Sequence, residues 1–123
     1  MAVTSHNRQA TQREYASLWR DAALGGLELL SAHFIHQTFA AHTHDTYAIG
    51  LIERGADRFD YRGQNEAAGA GAITIIHPGE LHTGGPFNAD GWHYRAFYPD
   101  VAYMQRILEQ IEAKPSAGRF VKP

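Results

Sequence analysis

Gly71-Ala72-Ile73-Thr74-Ile75-Ile76-His77-Pro78-Gly79-Glu80-Leu81-His82 compresses a strand, a tight turn and an imidazole into one short stretch. Its run from Ile73 to Ile76 is apolar and mostly β-branched, which favours a pleated, largely buried strand over a helix too short to stand alone. Pro78-Gly79 then turns the chain, because proline presets φ and glycine tolerates positive φ. The residue just past such a corner can point back over the sheet, and His82 holds that place. Upstream, His42-Thr43-His44 adds a second signal, since a spacing of two on a strand puts both imidazoles on one face. His42, His44 and His82 are therefore expected to converge.

Outward from this stretch, short strands recur with glycine punctuation. Residues 57–62 alternate charged side chains with Phe59 and Tyr61, as a half-exposed strand does, and Gly63 turns the chain back through 64–67 as a hairpin. Residues 27–34 and the longer 39–52 carry the β-formers of two more strands, and Arg54-Gly55 marks the next turn. Gly84-Gly85-Pro86 and residues 88–91 predict a loop, and 92–98 an aromatic strand closed by Pro99. Helices are expected on either side. Tyr15, Leu18, Trp19 and Ala22 have helical spacing within 11–24, with Thr11 as cap and Gly25-Gly26 as stop. Asp100 can cap a second helix over 101–113, where Val101, Met104, Leu108 and Ile111 repeat at three and four. The expected organisation is a lead with a short helix at 1–24, a barrel at 25–99, a helix at 100–113 and a truncated connector at 114–123.

A chain of 123 residues is about one domain's worth, and 44% hydrophobic with 11% aromatic residues suffices for a packed core. Several strands at roughly ten-residue spacing, without alternating helices, predict a mainly β fold built as a small antiparallel barrel or sandwich. The formal charge of −2 and a pI near 6.4 leave no basic field for a polyanion, which argues against nucleic-acid binding by this stretch of chain. The absence of cysteine excludes disulfides, thiolate ligands and a thiol nucleophile, and it fits a reducing compartment. The polar start lacks the apolar core of a signal peptide, and no run approaches the roughly 18 apolar residues of a membrane span. A cytoplasmic protein is expected.

Gly71, five residues, then His77-Pro78-Gly79 and His82 resembles the second motif of cupin barrels, with His77 where a proline usually stands. His42-Thr43-His44 resembles the first motif, but the positions that should carry its acidic residue hold Ala48 and Ile49 instead. Taken with Ile52-Glu53-Arg54-Gly55, Thr83-Gly84 and Gly91-Trp92-His93-Tyr94-Arg95-Ala96-Phe97-Tyr98-Pro99, these motifs resemble the N-terminal effector-binding domain of AraC-type transcriptional regulators, over about residues 19–113. The resemblance implies a cupin-like barrel of jelly-roll type with a C-terminal helix. It also implies that the barrel senses a small molecule and controls a separate helix-turn-helix DNA-binding domain, absent from these residues. Alternation alone leaves open whether Trp92, Tyr94, Ala96 and Tyr98 or His93, Arg95 and Phe97 face inward. The resemblance places the tryptophan set inside.

Neutral imidazoles are good ligands, so His42, His44 and His82 are candidates to hold a divalent metal such as zinc, nickel or iron with positions left open. The same trio also reads as hydrogen-bonding residues lining a pocket, each needing partners for its ring nitrogens. Trp92 and Tyr94 present aromatic rings with polar edges, suited to an amphipathic effector or simply to a core. Together His42, His44, His82, Trp92 and Tyr94 are expected to face one cavity on the order of a few hundred Å³. His6, His33, His36, His77 and His93 are expected at the surface or in turns, and Glu80 as a solvated turn carboxylate without a role. The missing carboxylate and the absence of an acid–base pair favour a regulatory sensor over an enzyme. The alternative is a metal-dependent cupin enzyme of dioxygenase or isomerase type using the same pocket, and a purely structural dimerisation domain is a third reading. Met104, Leu108 and Ile111 form a stripe that either packs on the barrel or joins a homodimer.

Overall fold

The computed structural model describes residues 13–113. The expected lead, the Thr11 cap, His6 and the connector at 114–123 lie outside the described residues. Eight strands precede one helix: β1 (Tyr15–Asp21), β2 (Leu27–Phe34), β3 (Phe39–His42), β4 (Ala48–Tyr61), β5 (Gln64–Gly69), β6 (Ile73–Ile76), β7 (His82–Pro86), β8 (Trp92–Phe97) and α1 (Val101–Ala113). All pairings are antiparallel, in the order β1-β2-β8-β4-β7-β3, with β5 and β6 also paired to β4.

The 14-residue β4 makes the sheet curl. Its first half pairs with β6 through Leu51 and with β8 through Gly55, whereas its second half pairs with β5 and β7. Between the halves the register against β8 shifts at Ile52 and Arg54, and Gly55 adopts φ 76°. A Cβ on Gly55 would lie 3.0 Å from Trp92 Cα and against the Gly91 carbonyl, so only glycine fits this crossing. The expected turn at Arg54-Gly55 is thus a bulge inside one strand. Its extra residue reverses the alternation: Ala48, Gly50 and Ile52 are buried before it, and Asp57 and Phe59 point inward after it. The hairpin to β5 closes through Arg62-Gly63, with φ 52° and 76°, as a two-residue turn of the primed type.

Three further expectations are corrected. Residues 15–21 form a strand rather than a helix, because β1 pairs with β2 along its whole length, from Tyr15 opposite His33 to Asp21 opposite Leu27. Sheet pairing overrides the three-four spacing, and the alternate residues Ala16 and Leu18 line the concave side of the curl while remaining exposed. Only a single 3-10 turn, Ala22–Leu24, follows, with Asp21 accepting the Ala23 N–H at 2.9 Å. The expected long strand 39–52 breaks after His42 and resumes at Ala48, while Gly84-Gly85-Pro86 is not a loop but part of β7, paired with β3 and β4.

Ile52, Ala68 and Trp92 form the buried core, with Phe34, Phe59, Ala72 and Tyr94 packed against it. The tryptophan set of β8 faces inward, as the resemblance implied. Asp100 caps α1, its carboxylate accepting the Tyr103 N–H at 2.7 Å. No residue of α1 is buried; Met104, Leu108 and Ile111 are half-buried, and Val101 and Ile107 are exposed. No helix among the described residues is long and apolar enough to cross a membrane.

Candidate functional site

The curl encloses a cavity of about 570 Å³. Its apolar wall comes from β1, β2, β4 and β6, through Leu18, Leu30, Phe34, Phe59 and Ile76. The polar groups cover less of the surface: His42, His44 and His82, the phenols of Tyr94 and Tyr98, three threonines, Gln37, Glu28 and Asp57. A mostly apolar wall with a few placed polar groups is the ordinary character of a small-molecule site.

The three histidines do meet. His42 ends β3 directly opposite His82 at the start of β7, and their ring centroids are 4.3 Å apart. His44 lies beyond the end of β3, yet its ring comes within 4.8 Å of His42 and 5.1 Å of His82. Two backbone carbonyls orient the cluster: His42 Nδ1 is 2.7 Å from the Ala40 oxygen, and His82 Nδ1 is 3.0 Å from the Glu80 oxygen. Each Nδ1–H then donates, which leaves the Nε2 lone pair free as a base or ligand. Burial pushes the His44 imidazole below its ordinary pKa, with the neighbouring His42 and His82 acting in the same direction. His82 is lowered by burial as well, against the Glu80 carbonyl, which favours the cation. Both are neutral near pH 7, the state a metal requires.

A tetrahedral ion with bonds of about 2.0–2.1 Å separates its nitrogen ligands by roughly 3.3 Å. One ligand atom from each histidine already lies within 4.8 Å of the others, so small side-chain rotations suffice to share an ion. Among the described residues this is the only such cluster of three or more. Ala48, 5% exposed, lines the cavity at one of the two places of the missing acidic residue. Its methyl supplies no fourth protein ligand and leaves that side of the trio to solvent or an effector. The residues thus fit a three-histidine metal site with open positions, which would supply Lewis acidity or a docking point for a ligand anion.

A family model described as AraC-like ligand binding domain matches residues 24–122. The chain belongs to this family. No curated protein matches the chain at a significant level. Among solved structures, a cupin 2 conserved barrel domain protein from Salinispora arenicola is 17% identical over 79% of this chain and 84% of its own, with a TM-score of 0.62. KdgF from a Halomonas species is 19% identical over 63% of this chain and 74% of its own, with a TM-score of 0.52. Oxalate decarboxylase from Bacillus subtilis, described with Mn(II) centres, is 16% identical over 71% of this chain but only 25% of its own, with a TM-score of 0.59. At these identities the likeness is one of fold, and the fold is the cupin barrel.

Within this AraC-like domain the expected site needs three amendments. Tyr94 lines the cavity, but Trp92 does not: it is 2% exposed and packed on Ile52 and Ala68 in the core. Glu80 is more than a solvated carboxylate. It accepts Arg62 Nε at 2.7 Å and the Tyr61 hydroxyl at 2.8 Å, and these bonds, Arg62 first, hold its carboxyl down to about 2. Since Tyr61 also pairs with His82 across the ladder, Glu80 braces the turn that delivers His82. Outside the cavity, His33 is buried rather than superficial, its ring stacked 3.8 Å from that of His93 on the neighbouring strand.

Asp57 was missed altogether. Its Oδ1 is buried without a hydrogen-bond partner, and burial lifts the carboxyl to about 6 despite the Gly85 N–H. The signal was present, because Asp57 shares strand parity with Phe59 and Tyr61, the apolar side of the alternation. Tyr94 depends on a second inconspicuous residue: a Cβ on Gly50 would come within 2.5 Å of the Tyr94 ring. Absence of a side chain there lets the phenol lie across β4 and bond Thr74.

Proposed function

We propose that the chain is the effector-sensing domain of an AraC-type transcriptional regulator, binding a small molecule in the barrel and passing its occupancy to a separate DNA-binding domain. The observation that carries this reading is the cavity of about 570 Å³, largely apolar yet furnished with converging polar groups. His42, His44, His82 and Tyr94 contact the effector, and Trp92 supports them from the core. The protein acts in the cytoplasm, and α1 pairs two copies through Met104, Leu108 and Ile111. A small-molecule screen by thermal unfolding tests the sensor role. Ligands that raise the melting temperature of the wild type, and lose this effect when Phe59→Trp fills the cavity, support it; ligands unaffected by that change contradict it.

The histidine trio favours a second reading, a metal-dependent cupin enzyme, because one ring nitrogen from each histidine lies within 4.8 Å of the others. The sensor is preferred because the chain matches an AraC-like ligand binding domain over residues 24–122. Elemental analysis of purified protein, followed by assay for oxygen consumption or isomerisation with any ligand found, separates the two. Turnover with bound iron or manganese would favour the enzyme.

A further inference from the structure

We infer that Asp57 is a recognition residue for an ammonium group, and that the effector is a small amine carrying an apolar, aromatic-sized body. This deepens the sensor reading and rests on it. The reason begins with an imbalance of charge in the cavity. Among the lining residues there is no lysine or arginine, and two carboxylates, Glu28 and Asp57. Glu28 has a cation nearby, with Arg20 at 3.7 Å. Asp57 has none: its Oδ1 is buried without a partner, and the one cation beside it in sequence, Arg58, bonds Asn65 and lies over the Phe87 ring. The Gly85 N–H bonds this carboxyl, but a buried oxygen left without a donor is unfavourable in the free protein and is satisfied by whatever donor enters beside it.

The surroundings select the donor. Phe59 stands two residues along the same strand on the same face, and Phe34, Phe59 and Tyr94 pack against one core cluster while lining the cavity. Aromatic faces beside a carboxylate form an arrangement that attracts organic cations, through ring quadrupoles and a charge-assisted hydrogen bond. A neutral hydroxyl gains only the hydrogen bond, and an anion is repelled. Burial that holds the empty carboxyl near 6 fits the same picture, because an ammonium partner would return it to the ionised form.

The test compares three probes of one shape, phenethylamine, 2-phenylethanol and 3-phenylpropionate, by calorimetry and by amide shift mapping on the intact chain. The expected result is that phenethylamine binds about ten- to a hundredfold more tightly than 2-phenylethanol, and that Asp57→Asn removes this preference without weakening the alcohol. Asp57→Ser, which also lacks the charge, should behave alike and guards against a fault peculiar to the amide. If the alcohol shifts cavity residues but the amine shows no preference, or keeps it in both variants, the role of Asp57 is overturned and the sensor reading stands. If no probe perturbs any cavity residue at millimolar concentration, both are overturned.

Discussion

Replacing Asp57 by asparagine keeps the side chain's shape and removes its titration, so it isolates what this carboxyl does to stability. Burial raises its pKa from 3.8 to about 6. A carboxyl whose folded pKa exceeds its unfolded one holds its proton more tightly in the native state. The resulting stabilisation is complete below pH 3.8, shrinks as the pH rises, and is gone above about 6. That interval spans about two pH units, or about 3 kcal/mol at the usual conversion. Because the cavity admits solvent, screening should reduce this to ~1–2 kcal/mol. Asp57→Asn should therefore match the wild type near pH 4 and exceed it by ~1–2 kcal/mol at pH 7. Urea unfolding followed by tryptophan fluorescence at several pH values measures the difference directly. A gap that does not change between pH 4 and 7, or a variant less stable at pH 7, would refute the placement of a carboxyl without a cation inside the barrel.

Three other outcomes are expected. Gly50→Ala places a methyl within 2.5 Å of the Tyr94 ring and should cost ~1–3 kcal/mol by overpacking, seen as a lower melting temperature; an unchanged melt would contradict the position of Tyr94. Zinc at a hundredfold excess over its dissociation constant should stabilise the protein by about 2.7 kcal/mol, and His82→Ala should abolish the effect. Equal zinc stabilisation in that variant would remove the trio as the metal site. Light scattering should show a concentration-dependent dimer that Met104→Glu with Leu108→Glu dissociates, whereas a constant monomer mass up to high micromolar refutes pairing through α1.

The fold was legible where local chemistry and global topology agree. Ile73–Ile76 with Pro78-Gly79, the Arg62-Gly63 hairpin and the Asp100 cap each state their structure within a few residues, although Ile73 and Ile75 are exposed where a largely buried strand is expected. The histidine trio was legible too, although for a partly mistaken reason: His44 reaches its neighbours from beyond the end of β3, not from a continuous strand. Errors arose where a distant segment decides. Tyr15, Leu18 and Trp19 satisfy helical spacing, and only the unpaired edge of β2 makes them a strand. Further support also comes from afar, since the Glu14 carboxylate accepts the N–H groups of Ile35, His36 and Gln37 and ties the start of β1 to the β2–β3 turn.

The bulge in β4 links these errors to the site. With uninterrupted alternation, the residues that place Ala48, Gly50 and Ile52 inside would put Asp57 and Phe59 outside, and the cavity would lose both its carboxyl and one of its aromatic walls. The extra residue between Ile52 and Arg54 reverses the parity, immediately before the Gly55 backbone crosses close to Gly91 and Trp92. Gly91 is constrained in turn, with φ 70° and a Cβ that would lie 2.8 Å from Ile35 Cα. Two glycines distant in sequence, one in β4 and one just before β8, thus meet at the bulge that sets the face on which Asp57 appears. Trp92, adjacent to Gly91, is buried against Ile52 at the same crossing. In the proposed recognition its contribution is accordingly indirect: the indole packs at this crossing, whereas Tyr94, two residues further along β8, lines the cavity.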